Sequence, residues 1–99
     1  MENNTSILDK VNFLIKKSIS KQCNSSELEK IISYTELHSD DLLLGKVFGY
    51  SVSDYAFATL KWIGSEKTLK AFEKTTQGLD ESRLSVINDL IDKESYRQY

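Results

Sequence analysis

The stretch from Leu60 to Leu84, "LKWIGSEKTLKAFEKTTQGLDESRL", carries the punctuation that decides the fold. Gly64 and Gly78 each close a helix-like run, and each is followed within two residues by a helix-starting side chain, Ser65 or Asp80. A residue without Cβ enters the left-handed region without a clash, and helices often end on one. Three antiparallel helices joined by tight turns are therefore expected here, with both glycines left-handed.

Working back from Gly64, a helix is expected to start after Ser51 or Ser53. On a wheel, Val52, Tyr55, Ala56, Leu60, Trp62 and Ile63 make a broad apolar arc that Phe57 and Ala58 widen, leaving Asp54 and Lys61 as the polar strip. A helix this apolar belongs at the centre. The next helix, capped by Ser65, has a thin inner face (Thr68, Leu69, Phe72, Thr75, Thr76) and a wide charged one (Glu66, Lys67, Lys70, Glu73, Lys74). Such a helix lies at the surface. The last, capped by Asp80, turns Leu84, Ile87, Leu90 and Ile91 inward and Asp89 and Asp92 outward, ahead of the polar tail "KESYRQY".

Toward the N-terminus, period-3.6 spacing predicts a helix from about Ser6 to Ser20, with Ile7, Val11, Leu14, Ile15 and Ser18 on one face. Phe13 falls among the charged residues of that helix. A second helix is expected from Ser26, whose spacing to Glu29 suits a capping box, to near Leu37, burying Leu28, Ile31, Ile32 and Thr35. A short third helix is expected in "SDDLLLGKVFGY", led by Ser39 or Asp40 and stopped at Gly49.

The chain has 99 residues, no proline and one cysteine, with a formal net charge of −2. This suits one all-α domain over residues 1–99 with short frayed tails, held together by packing without an internal disulfide. The first twenty residues lack an uninterrupted apolar run, so neither a signal peptide nor a membrane span is expected, and a cytoplasmic location is. Charge is balanced between the halves, which argues against bulk attraction to nucleic acid or to a membrane.

No constellation carries catalysis. His38 stands at a helix boundary without convergent partners, and adjacent helical positions such as Asp40 and Asp41 point about 100° apart, which suits capping better than acid–base work. Cys23 has no basic neighbour in the local sequence, and "LLLGKVFGYS" lacks the spacing of a phosphate loop. The expectation is a non-enzyme with no cofactor, no metal and no small-molecule substrate.

From Asp54 to Ile91 the pattern of Ala56 and Leu60, Ile63 and Gly64, Ala71 and Phe72, then Asp80 and Arg83, resembles a HEAT-type repeat. The segment "SSELEKIISYTELHSDDLLLGKVFG" is similar to a degenerate copy of the same helix pair. The resemblance implies helical hairpins stacked as a short solenoid; a compact helical bundle is the alternative.

Five Tyr, four Phe and one Trp are many for a chain this small, and Tyr and Trp dominate protein interfaces when they fill a partner's pocket. Core positions are expected for Tyr55 and Trp62, and Tyr34, Tyr50, Tyr96 and Tyr99 are interface candidates. A solenoid would line one face with its shorter second helices, and with them Asp40, Asp41, Lys46, Glu66, Lys70 and Glu73; Tyr50 joins these as a partner-binding candidate. In size, helical class and residue usage the chain resembles bacterial immunity proteins of contact-dependent growth-inhibition systems. That resemblance implies a basic, nuclease-type toxin domain as a one-to-one partner. An adaptor or regulatory subunit is the alternative, and a weak nucleic-acid binder using Lys67, Lys70, Lys74 and Lys61 is a third.

Overall fold

The structure is a computed structural model that describes residues 7–37, 46–47 and 50–92. Five helices account for most of these residues: α1 (Ile7–Ser20), α2 (Ser25–Tyr34), α3 (Val52–Ile63), α4 (Glu66–Thr76) and α5 (Glu81–Asp92). A two-stranded antiparallel ladder of β1 (Lys46–Val47) and β2 (Tyr50–Ser51) precedes α3. The all-α expectation holds.

The centre is α3, as its arc of apolar residues demands. Eleven of its twelve residues are buried, Lys61 alone being exposed. Its N-terminus is fixed by a reciprocal capping box in which Ser51 Oγ accepts from Asp54 N and Asp54 Oδ2 accepts from Ser51 N. Its C-terminus is fixed by Gly64 at φ +70°, whose N–H donates to Leu60 O. Tyr55 and Trp62 lie in the core, 0% and 5% exposed.

Around α3 the helices form two layers. Thr59 Oγ1 donates to Leu14 O, and Lys21, just past α1, shares a cleft with Lys61 to Gly64, so α1 runs the same way as α3. Arg83 at the start of α5 meets Ser53 and Asp54, and Ile91 O near its end accepts from Trp62 Nε1, so α5 runs that way too. The second layer is α2 and α4, each antiparallel to the helix it follows, as the contacts Phe13–Tyr34 and Phe57–Phe72 show.

Several sequence expectations are corrected. Asp54 is not part of a polar strip: it is 2% exposed and faces Arg83. The cap of α2 is Asn24, paired with Glu27, instead of Ser26 with Glu29. Both pairs have capping-box spacing, and asparagine caps as well as serine does. Gly78 is not left-handed; α4 ends on Gln77 in right-handed geometry. Phe13 is half-buried, edge-on to Tyr34 with Lys30 Nζ 4.6 Å above its ring, because α2 crosses the charged side of α1. The short third helix does not reach Gly49: Lys46–Val47 is extended and pairs with Ser51 and Tyr50. The β-preferring Val47 and Tyr50, on either side of Gly49, suit a ladder better than a helix end. The rest of that segment lies outside the described residues.

Candidate partner-binding surface

The helix capped by Ser65 is α4, and its amphipathicity sets the candidate surface. Ser65 caps it, accepting from Thr68 N. On its inner side Thr68 is buried, Phe72 meets the Phe57 ring edge-on, and the Thr75 and Thr76 hydroxyls donate to the carbonyls of Ala71 and Phe72. The polar groups of that side are satisfied within the helix. Outward stand Glu66, Lys67, Lys70, Glu73 and Lys74, all exposed. Lys70 Nζ is 3.4 Å from Glu66 Oε1, and both side chains are mostly in water, so the pair adds little to stability.

Three predicted partner-binding residues, Glu66, Lys70 and Glu73, are thus brought together on one exposed face. Tyr50 is placed elsewhere: it is 6% exposed, its ring is edge-on to Tyr55, and its hydroxyl donates to the Asp89 carboxylate. Its ring is spent on the interior. Lys46 enters β1, and Asp40, Asp41 and His38 lie outside the described residues. Tyr34 is also buried, at 9%. Of the lysine stripe, Lys61 turns its ammonium over the Phe72 ring at 5.2 Å and Lys70 is paired, leaving Lys67 and Lys74 on the outer face of α4.

A second feature was not foreseen from sequence. An open cleft of about 580 Å³ is lined by Lys21, Lys61, Trp62, Gly64, Ile91 and Asp92. It sits where α1, α3 and α5 all end, so the negative ends of three helix dipoles border a cleft whose lining includes two lysines and Asp92. Lys21 is left-handed, at φ 56°, and closes α1 by donating to Lys17 O. Only the shared direction of three helices brings these residues together. No local motif announces it.

Cys23 is half-buried between α1 and α2, and its thiol pKa is raised by burial and by the Glu27 carboxylate, with Lys17 opposing. Glu27 is held below the ordinary carboxylate range, chiefly by its hydrogen bond from Lys17 and then by the Asn24 backbone. Among the described residues no three of His, Cys, Asp and Glu group so as to hold a metal ion. No described helix is long and apolar enough to cross a membrane.

Compared with protein-family models, with curated proteins and with solved structures, the chain matches none.

Proposed function

We propose that this chain is a protein-binding module, an immunity protein that binds a basic, nuclease-type toxin domain one to one and masks its active cleft. The observation that carries the reading is the outer face of α4, where Glu66, Lys70 and Glu73 stand together in water while the inner face is satisfied within the protein. Asp40 and Asp41, outside the described residues, are the further carboxylates that this reading assigns to partner binding. The face is mixed in charge, with Glu66 and Glu73 standing among Lys67, Lys70 and Lys74, so in this reading its carboxylates pair locally with cations of a basic partner and set the register of docking. The two layers, with α1, α3 and α5 running one way and α2 and α4 returning, support a short HEAT-like solenoid whose second helices form the gripping face.

The test is to express the full chain with an affinity tag in its native host and recover it at low and at moderate salt. One stoichiometric basic protein whose nuclease activity the chain inhibits is expected, with association slowed at least tenfold by Glu66→Lys combined with Glu73→Lys. Many weak partners would replace this reading with an adaptor. Nucleic acid released by salt would replace it with the lysine stripe.

A further inference from the structure

Three observations bear on how firmly the seam between α5 and α3 is held. The first is intrinsic. The α5 sequence, "ESRLSVINDLID", is built largely of Ser, β-branched, Asn and Asp residues, which form helices poorly, and its last turn carries Asp89 and Asp92 with no basic residue, against the helix dipole. Its helicity comes from docking.

The second is topological. Among the described elements α5 packs chiefly on α3, with Leu90 in the core, Ile91 half-buried against it and Ile87 fully buried. It is joined to α4 by only the four residues 77–80, where Gly78 has open space around it.

The third is polar. Docking leaves Asp54 Oδ1 and Arg83 Nε buried without a hydrogen-bond partner among the described residues, and the nearest guanidinium nitrogen stands 3.7 Å from that carboxylate oxygen. Unsatisfied buried groups weaken a seam. Cross-helix hydrogen bonds stand at the two ends of the seam, Arg83 Nη2 to Ser53 Oγ and Trp62 Nε1 to Ile91 O, so both must break when α5 leaves; α1 is joined to α3 by Thr59 Oγ1 donating to Leu14 O and by the buried Val11 and Leu14.

We propose that α5 is a detachable strap: it opens from α3 as one unit about residues 77–80 while α1 to α4 stay folded, uncovering the side of α3 that holds Ser53, Asp54 and Trp62. Regions of this kind open below the free energy of global unfolding, and an uncovered helix face is a place where a partner's helix can enter in exchange. The inference is independent of the α4 surface and of what binds there.

Native-state hydrogen exchange on the full chain tests it, followed at the α5 amides, the Trp62 indole N–H and the α1 and α3 amides. The α5 amides and the Trp62 indole are expected to share one opening, at least roughly tenfold more frequent than that of the slowest α3 amides. Ile31→Val, a mild change in a fully buried α2 residue, is expected to speed exchange of the α1 and α3 amides by about two- to tenfold and leave α5 unchanged. Equal acceleration of α5 and α3 would show one cooperative unit and overturn the proposal. Exchange graded inward from Asp92 with Trp62 unaffected would show simple fraying and overturn it as well.

Discussion

Arg83, in the first turn of α5, donates from Nη2 to Ser53 Oγ at 2.8 Å across thirty residues of sequence. Ser53 Oγ in turn donates to Thr35 O, and Ser53 N donates to Leu37 O. One guanidinium therefore ties the beginning of α5 to the beginning of α3, and through one hydroxyl to the end of α2. Beside it lies the buried Asp54 carboxylate, which also holds Ser51 N.

Removing this cation leaves a carboxylate 2% exposed without its counter-charge. Arg83→Met is expected to destabilise the fold by about 3 kcal/mol, measured by urea unfolding, because stranding one member of a buried pair costs more than the pair is worth. Adding Asp54→Asn, which keeps an acceptor for Ser51 N, should restore at least half of that loss. Simple additivity of the two changes would refute the pairing.

Tyr50 ties β2 to α5 through Asp89, and Tyr50→Phe keeps the ring against Tyr55 while deleting the hydroxyl. Since Asp89 is exposed and water can replace the lost donor, a cost of about 1 kcal/mol is expected. In a thermal-melt double-mutant cycle with Asp89→Ala, which removes the acceptor, the pair should show a coupling of the same order.

The two glycines that look alike in sequence are expected to respond oppositely to alanine. Gly64, at φ +70°, cannot take a Cβ without backbone strain, and Gly64→Ala should cost about 1 kcal/mol. Gly78 is not left-handed and a Cβ there meets nothing within 4 Å, so Gly78→Ala should be neutral or stabilise by about 0.5 kcal/mol. Chemical denaturation of both variants decides the matter.

Glu27 caps α2 and pairs with Lys17, and its pKa is lowered in the folded state, first by the hydrogen bond from Lys17. A lowered folded-state pKa means that the native state binds its proton less readily than the unfolded chain does. The associated stability is present above the ordinary carboxylate value of 4.5 and is lost as pH falls through the lower native value. Glu27→Gln is expected to lower Tm at neutral pH and to converge with the parent in strong acid. A Tm difference that stays constant from neutral to acid pH would remove the ion pair from the explanation.

Thiol chemistry at Cys23 follows from its surroundings in the same way. Burial and the Glu27 carboxylate raise its pKa, so alkylation of the folded chain should show a midpoint above that of a free cysteine and be slow at neutral pH. Glu27→Gln should shift that midpoint downward.

Local features of the sequence suffice for most helix boundaries, though not for the cap of α2, the end of α4 at Gly78 or the extended segment at Lys46–Val47. The apolar arc of α3, the Ser51, Ser65 and Asp80 caps, and Gly64 as a stop all act within one or two turns of chain, and each is found where its chemistry places it. The charged outer face of α4 was legible for the same reason, since a period of 3.6 separates Glu66, Lys70 and Glu73 from Thr68 and Phe72. Contacts between helices decided the rest. Asp54 looks like a surface acid until Arg83 arrives from α5, and Phe13 looks stranded until α2 folds across it. Tyr50 looks like a turn residue until Asp89 takes its hydroxyl, and the cleft at Lys21 and Lys61 exists only because three helices end together. A helix period reports which residues share a side, whereas the partner on that side is set by packing over tens of residues, which no local pattern encodes.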